Sequence, residues 1–380
     1  MITTIQNRTE EAFINERQMH ELAKEIINRL DEDGTKEHKT FVQETLNRYR
    51  AIQKLKGESY SQDWTAYNQA QQKEKLLLMN ILDELLSYIP ISETKKVGRK
   101  PVSLRDKVFY VVLQSYNAKS SRRCISDIDI AHRMGYAVKA PHFNTVLKCL
   151  KDPCLTPYLK HLIQISSLPL QGIEQDFAVD SSGMSTSQFG RWFDYKWGKH
   201  EGKERIWKKI HLTCGVRTNI ITAVNITSKN HSDHGQFIDL VQETSRFHQV
   251  REVSADKAYS SHQNFEAVQE LGAIPFIPFK SNTVRKGLGL WGTMYRFFIN
   301  YPEEFGHHYH KRSNVETTFH MLKEKFGSHL RSKTETGQAN EMLAKCLCHN
   351  LCVLIQEAYE LGIDINFEKS AEYQIAHKLP

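Results

Sequence analysis

The chain has 380 residues, 40% hydrophobic and 25% charged, which is enough apolar material for at least one large core and the size of two or three domains. No apolar run approaches the roughly 20 residues that span a bilayer, and residues 1–16 lack the apolar stretch of a secretion signal, so neither a membrane nor a secreted class is expected. The net charge of +7 is unevenly spread: Lys and Arg against Asp and Glu run 16 to 16 over residues 1–100, 10 to 4 over 101–170 and 25 to 24 over 171–380. One seventy-residue segment therefore carries nearly all the excess, which suits a polyanion such as nucleic acid or, with no partner, a soluble basic face.

In chain order, Ile14, Leu22, Ile26, Ile27 and Leu30 stand at helical spacing, and Lys75 to Ile89 forms a second apolar helix after a stretch rich in Gln and Tyr. Pro90 and the run Lys95, Lys96, Arg99, Lys100 and Pro101 break the pattern and read as a basic linker, with Arg99 and Lys100 as candidates for a minor-groove contact. A helix is expected over Leu104–Ser115, and another from an N-cap at Ser126 to Gly135. After Pro141, Phe143, Val146, Leu147 and Leu150 follow i, i+3, i+4, i+7 and leave Lys148 and Lys151 on the opposite face with His142, Asn144 and Thr145. That is the pattern of a DNA-reading helix in a helix-turn-helix, although the turn from Gly135 to Pro141 exceeds the usual three or four residues; a structural helical pair is the alternative.

From residue 171 the period changes to two. Phe177 and Val179, then Ile210, Leu212, Cys214 and Val216, then Thr222, Val224 and Ile226 mark three strands, the last two a hairpin turning at Thr218-Asn219. A helix over 234–247, a strand ending at Asp256, a helix over 262–271, a strand through Ile274, Phe276 and Ile277, and two long helices, one through Glu316 and one over 339–361, complete the series. Three strands, helix, strand, helix, strand, helix is the order of the ribonuclease-H-like fold. The expected class is thus α/β: a mixed-sheet ribonuclease-H-like domain over 171–365, an α-helical region before it (1–100 ending in the linker, 101–170 basic), and a tail over 366–380.

Two acids end predicted strands, Asp180 and Asp256, and in this fold the first and fourth strands are neighbours, so the two carboxylates are expected together. Unpaired they repel; shared across a hard cation both stay ionised. Tyr309, Arg312, Glu316 and Lys323, spaced three, four and seven, fall within an arc of about 60° on one helix at 3.6 residues per turn. Alone, that stripe reads as a solvated face with an Arg312–Glu316 pair of about 0.3–0.5 kcal/mol. Together with the two strand-end acids it is similar to the YREK signature of bacterial insertion-sequence DDE transposases, over residues 171–355.

That resemblance implies Asp180, Asp256 and Glu316 as catalytic metal ligands, Mg²⁺ as cofactor with Mn²⁺ as substitute, and Tyr309, Arg312 and Lys323 as contacts to DNA phosphates. It implies double-stranded DNA (transposon ends and target) as partner, a homodimer or higher oligomer, no membrane, and a bacterial cytoplasmic, nucleoid-associated address. Only sixty residues separate Asp256 from Glu316, too few for the β-strand insertion some relatives carry. A nuclease of the same fold, and a domesticated DNA-binding protein without catalysis, are the rival functions.

Other motifs have bland readings beside the chemical ones. The seven cysteines are an odd number and are read as reduced, and Cys346, Cys348, His349 and Cys352 lie within a helix rather than on the CxxC knuckles zinc requires. His231 and His234 are a metal pair or, with Ser232 and Asp233, a helix start. Trp192, Trp197 and Trp207 among seven Lys and Arg residues stack on DNA or pack on the core.

Overall fold

The computed structural model describes residues 2–30, 36–55, 63–88, 101–186, 207–228, 231, 233–283 and 289–367. Five strands form one sheet: β1 (Asp176–Ser185), β2 (Trp207–Gly215), β3 (Ile221–Ser228), β4 (Glu252–Ala255) and β5 (Ile274–Phe276), in the order β3-β2-β1-β4-β5. β1, β2 and β3 pair antiparallel, while β4 joins β1, and β5 joins β4, in parallel. This is the mixed ribonuclease-H-like sheet that the element order predicts. Both faces are covered: Phe177 and Val179 enter one core cluster, whereas Ala178 and, across β2, Ile210, Leu212 and Cys214 enter the other. The tight β2–β3 hairpin relies on Asn219, whose φ of 62° is the left-handed region Asn tolerates, and on buried Glu174, which accepts from the Thr218 N–H and hydroxyl at 2.6 and 2.8 Å.

Helices α1 (Ile2–Arg29) and α2 (Lys36–Leu55) pack on each other and lend Ala23, Ile26, Ile27 and Leu46 to the second cluster. Ile14, expected on the apolar face, is 54% exposed, and α2 replaces an expected polar connector. Next come α3 (Trp64–Ser87), α4 (Leu104–Asn117), α5 (Ser121–Arg133), α6 (Phe143–Leu150) and α7 (Leu155–Ser167). Ser126 is not an N-cap: α5 starts a turn and a half earlier and the Ser126 hydroxyl donates to Arg123 O within it, at 3.1 Å. Leu147 is 38% exposed rather than buried, since α6 seats only Val146, Cys149 and Leu150.

Past the sheet's third strand, α8 (Phe237–Ser245) and α9 (His262–Glu270) cover the Phe177 face, and α10 (Gly289–Asn300) and α11 (Pro302–Tyr309), neither expected, follow β5. A 3-10 turn, His310–Arg312, leads into α12 (Ser313–Phe326); α13 (Glu335–Glu360) ends the described architecture. Among the described residues no strand lies between β5 and Glu316.

α13 is buried on nearly every side, so its polar residues need partners. Asn350 meets the Ile221 N–H and C=O and Ile163 O, and Asn340 donates to Leu150 O and Asp152 O. One continuous apolar cluster runs from Ala70 in α3 through α4–α7 and the sheet to α13 and Phe367. Residues 101–170 therefore share the core of the sheet instead of owning one.

All seven cysteines are unpaired, and six are buried. Burial pushes the Cys346 and Cys352 thiols up, the latter to about 12, and pushes His349 down to about 4. Cys346, Cys348 and Cys352 pack as small apolar groups in the core that α13 helps to form. No helix among the described residues is long and apolar enough to cross a membrane.

Candidate active site

β1 and β4 run parallel with Val179 opposite Ala255, the last register pair, so Asp180 in β1 and Asp256, the residue just past β4, emerge at the same end of the two strands. Asp256 also starts a short 3-10 turn, Lys257–Tyr259, where its carboxylate accepts the Lys257 N–H. Asp180 accepts the Ser181 N–H at 2.8 Å. Burial raises the Asp180 carboxyl above its ordinary range, and the negative charges of Asp256 and Glu316 raise it further, against the Ser181 N–H and Arg312. The three candidate acids thus feel one another.

Arg312 is the cation between them. Its guanidinium gives one N–H to Asp180 Oδ2 at 3.0 Å and another to Glu316 Oε1, four residues on in the chain. Tyr309, Arg312, Glu316 and Lys323 do not share a single α-helix as expected: Tyr309 ends α11, Arg312 closes the 3-10 turn, and only Glu316 and Lys323 lie in α12. The effect on alignment is small. At three residues per turn a 3-10 segment eclipses i and i+3, and the Arg312 guanidinium lies 5.9 Å from the Tyr309 ring centre. Lys323, two turns further along the same face of α12, donates to Ser182 Oγ at 2.6 Å.

The donor set fits a hard divalent cation: three carboxylates, two of them at the same end of adjacent strands, with a charge imbalance visible in the raised Asp180. They are not drawn into one coordination shell; among the described residues no three His, Cys, Asp or Glu side chains are gathered that tightly, and Arg312 spans Asp180 and Glu316. Close by, the Tyr259 hydroxyl is buried without a hydrogen-bond partner.

Other predicted residues fall elsewhere. Lys148 and Lys151 are exposed at the end of α6, far along the chain from the acids, and Arg99, Lys100, Ser232, Trp192 and Trp197 lie outside the described residues. Trp207 starts β2 against Gly183, where a Cβ would come within 2.7 Å of the indole, so Trp207 packs on the sheet. A helical segment does start at His234, with Asp233 in the N-cap position of the 3-10 turn that runs into α8, but the Asp233 carboxylate makes no capping bond and takes Lys209 Nζ at 2.7 Å instead; His231 bonds to Ser228 Oγ at 2.8 Å.

Sequence reasoning missed a second carboxylate pair. Asp176 and Glu252 are register partners four residues before Asp180 and Asp256, 3% and 0% exposed. Lys311 Nζ lies 2.6 Å from Asp176 and 2.7 Å from Glu252, Arg251 grips Asp176 with two N–H groups at 2.7 and 2.6 Å, and His20 and His308 reach Glu252 at 2.7 and 2.9 Å. Burial alone would favour a neutral Glu252, but His308, Lys311 and His20 hold it well below the usual carboxylate range. Burial lowers His308 while Glu252 opposes that shift; its Nδ1 faces Glu252, and its Nε2 is the ring atom left without a hydrogen-bond partner. The identical four-residue offset from both strand-end acids was the available signal.

The sheet thus carries one acid at the end of β1, one just past β4 and a third on the helix that covers them. Residues 171–351 match the family model described as "Transposase DDE domain", from just before β1 into α13. The match over those residues supports a DNA transposase function, in a family that typically uses divalent metals. A solved structure, "Cryo-EM structure of piggyBac transposase synaptic complex with hairpin DNA (SNHP)", matches 80% of this chain and 85% of that one at 11% identity and a TM-score of 0.33, too loose a likeness to carry argument.

Proposed function

We propose that the chain cuts DNA at transposon ends and joins the freed ends to target DNA, with Asp180, Asp256 and Glu316 holding Mg²⁺, or Mn²⁺ in its place. The observation that supports this reading is that Asp180 is raised by the charges of Asp256 and Glu316 while Arg312 bonds to both Asp180 and Glu316. When bound, the divalent ion supplies the Lewis acidity that activates an attacking oxygen and neutralises a departing one. The chain's own groups do the rest. Arg312 exchanges its carboxylate partners for the phosphate at the transposon end, which its planar fork grips bidentately; Tyr309 backs its guanidinium, and Lys323 adds a point charge.

Two displacements at phosphorus follow. In the first, water attacks the phosphorus and gives up a proton, and the 3′ oxygen leaves and is protonated to a hydroxyl, so one phosphodiester becomes a phosphate monoester; in the second, that hydroxyl loses its proton as it attacks a target phosphodiester and expels the target's 3′ oxygen, so this step makes one phosphodiester for the one it breaks. Residues 101–170, with Lys148 and Lys151 outward on α6 and Arg99 and Lys100 before it, bind the ends, and two or more copies pair them.

The test is incubation of the full chain with Mg²⁺, a duplex bearing its own terminal repeat, and a target plasmid. Cleaved and joined products support the proposal. Nicked duplex without joining identifies a nuclease, and binding without either identifies a silent DNA-binding protein.

A further inference from the structure

Lys311 and Arg312 are consecutive, yet they reach carboxylates four residues apart on β1, Asp176 and Asp180. At about 3.3 Å per residue those targets are roughly 13 Å apart along the strand, while adjacent Cα atoms are only about 3.8 Å apart. The two side chains therefore diverge in opposite directions along β1, and the 3-10 turn between them sits opposite the midpoint. The midpoint has its own marker: Ser254, register partner of Ala178, donates its hydroxyl to His308 O at 3.2 Å. Asp176, Ala178 and Asp180 alternate onto one face of β1, as Glu252 and Ser254 do in β4, so both grips lie beneath the same turn. A slip of one residue along the strand would break one of them.

We propose that Lys311 is a positioning residue for phosphoryl transfer: seated on the buried Asp176–Glu252 pair, it fixes the turn at the one depth where Arg312 spans Asp180 and Glu316. This rests on reading those acids as the reacting centre. An ion cluster this deeply buried is poor value as mere stabilisation, because well-packed apolar groups of similar volume often serve as well. What the ammonium adds is a fixed register. Among the described residues of the turn it alone ties the two strands together below the site: one nitrogen touches both β1 and β4.

The experiment compares wild type with Lys311→Met and with Lys311→Met/Glu252→Gln, in which one buried cation and one buried anion leave together. Arginine modification by phenylglyoxal, read residue by residue in a mass spectrometer without DNA or metal, reports how firmly Arg312 is held. Arg105, bonded to Tyr136 O at 3.0 Å in α4, is the internal control. Arg312 is expected to react about fivefold faster or more in both variants, the factor that follows from losing roughly 1 kcal/mol of local hold, with Arg105 unchanged. Cleavage at saturating end DNA is expected to fall about 100-fold, as for a misplacement near 1 Å, with an unchanged Kd for the end.

Arg312 reactivity within twofold of wild type in either folded variant overturns the proposal, whatever happens to thermal stability. So does failure of both variants to fold, which would make the ammonium a requirement of the fold and not of position. If wild type itself does not cleave, the reading of the acids fails, while the reactivity comparison still judges Lys311.

Discussion

Asp180 and Asp256 emerge at the same end of adjacent strands but in different surroundings: Asp180 is the more enclosed and is raised by burial and by its acidic neighbours, while Asp256 opens a surface turn. Asp256→Asn keeps the shape and the hydrogen-bonding oxygen for that turn but removes a charge from the proposed metal set. Cleavage in Mg²⁺ is expected to fall by about 10³-fold or more, the scale of losing a charge-stabilising group at a reacting phosphate, with end binding within twofold. Near-wild-type cleavage by this variant would remove Asp256 from the site. A separate residue sets a pH dependence of stability. Burial, with Glu360 and Glu174 adding to it, pushes the Glu357 carboxyl up to about 8 from an ordinary 4.5. The folded chain thus holds a proton that the unfolded chain has released, so the stability associated with Glu357 is intact below pH 4.5 and is lost as pH rises to about 8. Glu357→Gln, neutral throughout, is expected to raise Tm by a few degrees at pH 8 and by little at pH 4.5, in thermal melts across that range; a difference that does not grow with pH would contradict the buried, protonated Glu357.

At the scale of elements, what was legible depended on how much of each was dictated locally. The strands were readable because burial on both faces writes short apolar runs such as Phe177-Ala178-Val179, and because strand-end acids and the Thr218-Asn219 turn punctuate them. α2 was not readable: its described buried residues are Thr45, Leu46 and Tyr49, too few to set a period, and tertiary packing decides it. α10, with Gly289, Gly292 and four aromatics, has weak helix propensity and is fixed by the packing of Met294 and Phe297 among Phe276 and Phe305. Arg312 was legible through its motif, Lys311 only through its partners. α6 is the element where expectation and structure leave a proposal to test. Its outward face presents Lys148 and Lys151, while Leu147 shares that exposure instead of joining the core. If those lysines neutralise phosphates, Lys148→Ala/Lys151→Ala is expected to lower the slope of log K against log salt by about 0.9 for each phosphate no longer neutralised, close to about 1.8 for the pair. Fluorescence anisotropy over a salt series measures it, on end-bearing and random duplexes alike. An unchanged slope takes α6 out of the interface.

The molecule as a whole constrains how binding and chemistry can be divided. Charge favours a split, since residues 101–170 carry an excess of six positive charges and residues 171–380 an excess of one. Packing opposes it: Val108 to Leu113 of α4, Leu159 and Leu162 of α7 and the Leu78–Leu86 stretch of α3 lie in the same cluster as Leu343 to Ile355 of α13 and the Ala178 face of the sheet. Asn340 and Asn350 each bond from α13 to backbone carbonyls in the 101–170 segment, at distances from 2.9 to 3.2 Å. A cut at residue 170 would leave these carbonyls and a long apolar stripe of α13 facing water, the surface that drives partly folded chains to aggregate. On the proposed function, surface side chains and not independently folding pieces would then separate binding from chemistry. Calorimetry of the full chain is expected to show the 101–170 helices and the sheet melting in one cooperative transition. Residues 171–380 alone are expected to show no cooperative transition and to bind a hydrophobic dye before heating. Should that fragment melt sharply and alone, the helices of 101–170 would be a removable module. If instead the two melt together, an end bound on α6, as proposed, would be held rigidly with respect to Asp180 and Asp256, because α13 packs against both the 101–170 helices and the sheet that carries the acids.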